Sequence, residues 1–306
     1  MLNYIIQGNK VELIMDKIQL TESRSIGKDE SPFIIAEIGN NHNGILENAF
    51  NLIKKAKEIG VDAVKFQIKD IEIAFDKDLL DKSYSGKNSF GNTYREHKEA
   101  LEFSEDQMKQ IYQFAKKIDI ICFATPFDVN SVDMLERLGN TIYKISSFHV
   151  TDLKLIEKIA KLDKPILMST GMSSIEEIET AVNLIKKYSN KLALFQCTSS
   201  YPTADEDVNL RVIPALKSKF DCPVGYSGHE RGTTISVASV LLGACMIERH
   251  FTLDRTLKGP DHASSVEPTG LKLLIERSHK VFTALGSDKK YVLDSELNNR
   301  KKFRGY

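Results

Sequence analysis

Residues 165–187 read PILMSTGMSSIEEIETAVNLIKK, and this stretch sets the architecture. Residues 165–170 (PILMST) form a short, almost unbroken apolar run that ends in a glycine turn, which reads as a strand. From 174 to 187 (SIEEIETAVNLIKK) the apolar residues return at helical spacing. Ser173 is placed to cap that helix, with Glu176 three residues on. A strand that is apolar on successive positions is buried on both faces. Followed at once by an amphipathic helix, it belongs to a parallel sheet covered by helices.

The theme recurs in both directions from this stretch. Runs of the same kind stand at 33–39 (FIIAEIG), 62–67 (DAVKFQ), 119–124 (DIICFA), 142–146 (IYKIS), 192–197 (LALFQC), 222–227 (CPVGYS) and 245–251 (CMIERHF). With 165–170 that makes eight. Helical patterns lie between them, including 46–59, where Leu46, Ala49, Phe50, Ile53 and Ala56 share a face, and 268–285. Eight strand-helix units favour a closed (β/α)8 TIM barrel over an open sheet. The absence of a glycine-rich dinucleotide fingerprint after the first run points the same way. The barrel is expected to span 31–286. Residues 1–30 read as a short N-terminal β extension, one strand pair plugging the barrel's N-terminal end, and 287–306 as a brief polar tail. Residues 69–103 form a long polar insertion after the second run, and a loop of that length in a compact domain is usually a lid or binding loop.

The 306 residues hold 42 Lys+Arg against 42 Asp+Glu, so no net charge draws the chain to nucleic acid or to a membrane surface. Neither is expected as a partner. No apolar run reaches the roughly 18 residues of a membrane span. The N-terminal stretch lacks a signal-peptide pattern, so the expected location is cytoplasmic. Cys122, Cys197, Cys222 and Cys245 form no CxxC pair and read as buried, reduced thiols.

Barrel enzymes carry their chemistry at the C-terminal ends of the strands. Those ends supply Glu37, Lys65 with Gln67, Thr125, Lys144 with Ser147, Ser169, Ser199 with Tyr201, Ser227 with His229, and Glu248 with His250. Polar residues of structural origin would be scattered; here every strand delivers one. Lys65 and Lys144 stand inside apolar strands, where an amine needs an anion. Three readings fit: a cradle for a doubly anionic ligand, a Schiff-base lysine, or an ion pair with Glu37. His229 and His250 end neighbouring strands, where two imidazoles suit a divalent metal. A hydrogen-bonded structural pair is the alternative. His42, in the turn NNHNG, reads as loop-ordering, and spacing gives His97, His262 and His279 no role.

A series of motifs in this order resembles the sialic acid synthase family, which condenses phosphoenolpyruvate with an N-acetylated aldose. They include AEIGNNHNG (36–44), VKFQ (64–67), TPFD (125–128), YKISSF (143–148), KPILMSTGM (164–172), QCTSSYPT (196–203), DVNLR (207–211), GYSGHE (225–230) and ERHFTLDRTLKGPDHASSVEP (248–268). The family's fold is a (β/α)8 barrel. The resemblance implies a phosphoenolpyruvate site of Lys65, Thr125, Lys144, Ser147, Ser169, Ser199, Tyr201 and Ser227. It implies a divalent metal on His229 and His250, Mn²⁺ first, with Mg²⁺ or Co²⁺ as substitutes. Glu37 matches the acidic residue near the metal, and Gln67, Phe127, His149 and Asp261 match sugar-contacting positions.

Three departures stand out. Many family members continue into an antifreeze-like C-terminal domain whose arginine reaches a dimer partner's sugar. This sequence runs to Arg304-Gly305-Tyr306 without a counterpart. That contact is expected to be absent or supplied by a separate antifreeze-like protein, with any homodimer held by barrel contacts. His149 stands where members often carry an acid. SFHVTDL resembles the pseudaminic acid branch, whereas GYSGHE and LDRTLKGPDHASSVEP resemble the N-acetylneuraminate branch. The expected activity is a metal-dependent nonulosonic acid synthase; the alternatives are a Schiff-base aldolase and a non-catalytic sugar- or phosphate-binding barrel.

Overall fold

A computed structural model of the chain describes residues 4–7, 10–13 and 17–306. The N-terminal region holds two antiparallel hairpins rather than the single strand pair expected. β1 (Tyr4–Gln7) pairs with β2 (Lys10–Leu13), and β3 (Lys17–Thr21) with β4 (Arg24–Gly27). Eight parallel strands follow: β5 (Phe33–Glu37), β6 (Ala63–Ile68), β7 (Ile121–Pro126), β8 (Tyr143–Ile145), β9 (Ile166–Ser169), β10 (Leu192–Cys197), β11 (Val224–Gly228) and β12 (Met246–His250). They pair in chain order, and β12 closes on β5 with His250 opposite Glu37. All eight apolar runs are therefore barrel strands.

The strands look uniformly apolar because both of their faces are buried, but the faces do different work. On β5, Ile34 and Ala36 point outward into the layer between strands and helices, while Phe33 and Ile35 point into the lumen. The lower lumen is filled by Phe33, Ile35, Ala63, Phe123, Leu167, Phe195 and Met246. Ile18, Leu20 and Ile26 of the second hairpin complete this cluster, so that hairpin is the plug. Arg24 ties it to the barrel. Its Nε donates to Asp62 at 2.8 Å, and Asp62 also accepts the Ile34 N–H at 2.7 Å.

The helices follow the amphipathic patterns. Leu46–Ile59 buries Ala49, Leu52, Ile53 and Ala56, and Ile175–Lys186 buries Ile178, Ala181, Val182 and Ile185. The cap of the latter is Ser174 with Glu177, one residue beyond the expected Ser173 and Glu176; both arms of the capping box form there. The insertion holds three short helices, Ile71–Ala74, Lys77–Leu80 and Tyr94–Glu99. The expected polar tail contains a helix, Asp294–Arg304, with no buried residue. Among the described residues no helix is long and apolar enough to cross a membrane. His42 orders its loop as expected: its ring stacks on Phe103 with centroids 4.1 Å apart, and Nδ1 accepts the Gly44 N–H at 3.0 Å.

Two consequences are measurable. Ile26 is fully buried in the plug, so Ile26→Ala is expected to lower unfolding free energy by about 2–5 kcal/mol. A loss under about 0.5 kcal/mol in urea titration would place the hairpin outside the cooperative core. Burial, reinforced by the charge of Lys69, depresses the His42 pKa to about 3. The unfolded chain therefore takes up this proton first. The contribution is full above about pH 6.5 and is lost progressively as pH falls toward 3. Melting temperature is expected to drop from pH 7 to pH 5, and to drop less in His42→Gln; equal slopes would contradict this.

Candidate active site

Period-two alternation continues up each strand, but near the C-terminal ends the lumen-facing residues change character. Above the apolar layer come Glu37 on β5, Lys65 and Gln67 on β6, Thr125 on β7, Lys144 on β8 and Ser169 on β9. Cys197 on β10, Ser227 on β11, and Glu248 and His250 on β12 complete the ring. These residues surround a cavity of about 550 Å³. Ser147, Ser199, Tyr201 and His229 reach it from the loops just beyond the strands, together with Phe127 and Asp261. Every residue expected at the site lines this cavity except His149. That ring stands one layer back, edge-on to Phe127 with centroids 4.9 Å apart, and its Nδ1 lies 2.8 Å from Ser146 Oγ.

The floor is a quartet of buried charges. Lys65 Nζ lies 2.7 Å from Glu37 Oε2 and 3.6 Å from Glu248 Oε1, while Lys144 Nζ lies 3.4 Å from Glu248 Oε1. The ion pair of Lys65 with Glu37 is therefore present, alongside the residues of the expected cradle. Burial works against the charge of Lys65, but Glu248 and Glu37 outweigh it and hold its pKa above the ordinary value. For Lys144 burial prevails over Glu248, and its pKa is lowered. Burial opposes ionisation of Glu248 too, yet the two lysines keep its pKa below the usual carboxylate range. Sequence reading placed Glu248 at a strand end but gave it no role. Only closure of the barrel sets β12 across the lumen from Lys144.

Hydroxyl groups surround this quartet. Lys65 donates to Thr125 Oγ1 at 2.9 Å and Lys144 to Ser169 Oγ at 2.6 Å. Ser147 Oγ accepts the Gly171 N–H at 3.0 Å. A Cβ on Gly171 would come within 2.4 Å of Ser199 Oγ and 2.9 Å of Ser147 Oγ. Glycine there leaves room for two hydroxyls to converge. Ammonium groups ringed by hydroxyls suit a small acid such as a phosphate or carboxylate.

His229 and His250 lie side by side, ring centroids 5.6 Å apart, with the Tyr201 ring 4.0 Å from His229. His229 Nδ1 lies 2.9 Å from the Thr198 carbonyl, which fixes the proton on that nitrogen and leaves Nε2 with a lone pair. Burial, then the neighbouring His250, depress the His229 pKa to about 3, so the ring is neutral. Nδ1 of His250 is buried without a hydrogen-bond partner. Among the described residues no three His, Cys, Asp or Glu side chains form a ready metal cluster. Two adjacent imidazoles do fit a divalent ion that takes its other ligands from water and substrate. Asp261 stands beside them, 3.7 Å from His250 Nδ1, and accepts from Asn40 N–H and Nδ2 at 3.2 and 3.1 Å. Gly39, at φ +51°, permits this approach, since a Cβ would meet Asp261 Oδ2 at 3.0 Å.

The insertion supplies residues that sequence reading did not assign: Phe75, Tyr94 and Lys98 line the outer cavity, next to Lys69. Behind the histidines, the alternate faces of β11 and β12 carry a second network. Arg249 donates from Nη1 to Glu230 Oε1 at 2.6 Å and to the Gly232 carbonyl at 2.8 Å, and Tyr226 Oη donates to Glu230 Oε2 at 2.8 Å. It bridges the residues next to both imidazoles.

Fold and site together define a (β/α)8 barrel whose mouth gathers buried lysines and hydroxyls beside paired imidazoles. The chain belongs to the NeuB family, whose model matches residues 52–290. It is 42% identical over 282 residues to human N-acetylneuraminate-9-phosphate synthase, covering 92% of this chain and 79% of that protein. It is also 42% identical over 270 residues to N,N'-diacetyllegionaminic acid synthase of Campylobacter jejuni, covering 87% and 81%. The crystal structure of the N-acetylneuraminic acid synthetase of Leptospira borgpetersenii, in complex with citrate, superposes with a TM-score of 0.81 at 34% identity, covering 95% of this chain and 99% of that one.

Glu230 and Arg249 are both almost wholly buried. Removing one leaves the other charged and unpaired, so Arg249→Met is expected to cost about 3–5 kcal/mol of folding stability. Chemical denaturation tests this; a loss below about 1 kcal/mol would mean that water reaches the pair.

Proposed function

We propose that the chain condenses phosphoenolpyruvate with an N-acetylated aldose to give a nonulosonic acid and inorganic phosphate. One observation carries the reading: eight side chains suited to a phosphate and a carboxylate share one cavity with Glu37 and two histidines. Relatives named as synthases of N-acetylneuraminate 9-phosphate and of N,N'-diacetyllegionaminic acid support it.

Lys65 and Lys144, with the hydroxyls of Thr125, Ser147, Ser169, Ser199, Tyr201 and Ser227, hold the phosphate and carboxylate of phosphoenolpyruvate. Gln67, Phe127 and Asp261 position the open-chain aldose over it. His229 and His250 would hold a divalent ion, Mn²⁺ in our reading, which when bound would supply Lewis acidity toward the aldehyde carbonyl. The enol carbon bonds to the aldehyde carbon, and the aldehyde oxygen ends as a hydroxyl. Water adds at carbon 2 of the former phosphoenolpyruvate, and Glu37 accepts its proton. The bond from that carbon to the phosphate oxygen then breaks as the carbon-2 hydroxyl becomes the ketone, its proton leaving with the phosphate. The proton held by Glu37 passes to the former aldehyde oxygen to complete its hydroxyl. Both lysines remain charged throughout, so the catalysis is placement and fixed charge. His149 acts through the Phe127 ring that it supports.

The lowered pKa of Lys144 favours one rival, a Schiff-base aldolase in which this amine attacks a carbonyl. Borohydride trapping with pyruvate distinguishes the two. The deciding experiment measures phosphate release from phosphoenolpyruvate with Mn²⁺ across N-acetylmannosamine and diacetamido-dideoxy hexoses, with and without EDTA. Release that EDTA abolishes is expected. Release indifferent to chelator, or absence of phosphoenolpyruvate binding, would overturn the proposal.

Two variants probe the division of labour. His250→Ala is expected to reduce turnover by about 100-fold or more while changing phosphoenolpyruvate affinity less than about threefold. Lys144→Met is expected to weaken phosphoenolpyruvate binding by about tenfold or more, measured by titration calorimetry. Unchanged affinity would remove this lysine from the cradle.

A further inference from the structure

The cavity's two ends differ in how their positive charges are matched. At the floor Lys65 faces Glu37 and Lys144 faces Glu248. At the rim Lys69 is paired with Glu102 at 2.9 Å and lies over the Phe127 ring, 4.6 Å from its centroid. Lys98 has no such partner. Among the described residues it makes no ion pair, and its ammonium group sits 4.8 Å from the Tyr94 ring and 5.4 Å from the Phe75 ring. It belongs to the Tyr94–Glu99 helix of the insertion and lines the outer cavity. Burial, then the neighbouring charge of Lys69, depress its pKa to about 8.

An amine between two rings, largely removed from water and facing an open cavity, gains from any anion that reaches it. The anions of phosphoenolpyruvate are accommodated at the floor, within the strands. Lys98 approaches from the insertion, above the strand ends. A second substrate that reacts at the floor and fills the cavity outward brings its far end to this lysine. Relatives named for a phosphorylated and for an unphosphorylated product are equally identical to this chain, so likeness does not choose between the two kinds of substrate.

We infer that Lys98, with Lys69 beside it, binds a phosphate group carried on the end of the aldose remote from its aldehyde, so that the enzyme takes a phosphorylated aldose. This rests on the reaction proposed above. The phosphate supplies the counter-ion that Lys98 lacks, while Tyr94 and Phe75 hold the ammonium group in place.

The test compares N-acetylmannosamine, N-acetylmannosamine 6-phosphate and a diacetamido-dideoxy hexose in phosphate release from phosphoenolpyruvate with Mn²⁺. For the phosphorylated sugar kcat/KM is expected to exceed that of the others by about tenfold or more. Lys98→Met is expected to remove that advantage mainly through KM, changing the N-acetylmannosamine reaction by less than about twofold, while Lys98→Arg retains most of it. Equal use of the sugars, preference for an unphosphorylated one, or equal losses for all sugars in Lys98→Met would overturn the inference and leave the synthase reading intact. No release with any sugar would overturn both.

Discussion

The constraint on which the site depends is the burial of four charges in the lumen of a closed barrel. Lys65, Lys144, Glu37 and Glu248 are each less than a tenth exposed. Such groups are tolerable only when matched, because an isolated charge in a protein interior is very unfavourable. The matching requires four strands, β5, β6, β8 and β12, at fixed heights and spacing. The apolar lower lumen and the plug hairpin keep water from the floor. The helices hold the strands in register from outside. The lysines are thus desolvated and oriented by the fold itself, so the binding proposed for them needs little reorganisation.

Much of this was legible before any coordinates. Strands buried on both faces are written as apolar runs, and a lysine inside such a run is conspicuous. Lys65 and Lys144 stood out for that reason, and the two histidines because they end adjacent strands. Partnership was less legible. Glu248 meets Lys144 only because the ring closes, and no local spacing encodes a contact across a lumen. The Ser174 cap was missed by one residue because two serines stand together, and a capping box accepts either until the backbone decides.

The insertion marks the other limit. Helices of four and six residues are below the length at which propensity and periodicity speak, and they form through contacts with one another and with the mouth. Sequence patterning therefore gives Lys98 no role of its own within the polar insertion. The C-terminal helix, Asp294–Arg304, buries nothing and has no apolar stripe to announce it. His149, expected against the sugar, stands behind Phe127, because the short 3-10 turn Ser147–His149 directs Ser147 into the cavity and its histidine away from it.

The seam between β12 and β5 carries a consequence for how the protein is made. Glu37 and His250 sit opposite one another, yet every other strand of the barrel lies between them in the chain. At translation rates of about 5–20 residues per second, β5 waits on the order of 10–40 s for its partner to leave the ribosome. Until then one edge of Phe33–Glu37 is unpaired and the lumen is open to water. The charged floor cannot become dry before the last strand docks. The site is therefore completed at the same moment as the fold, and a chain stalled short of Met246 has neither.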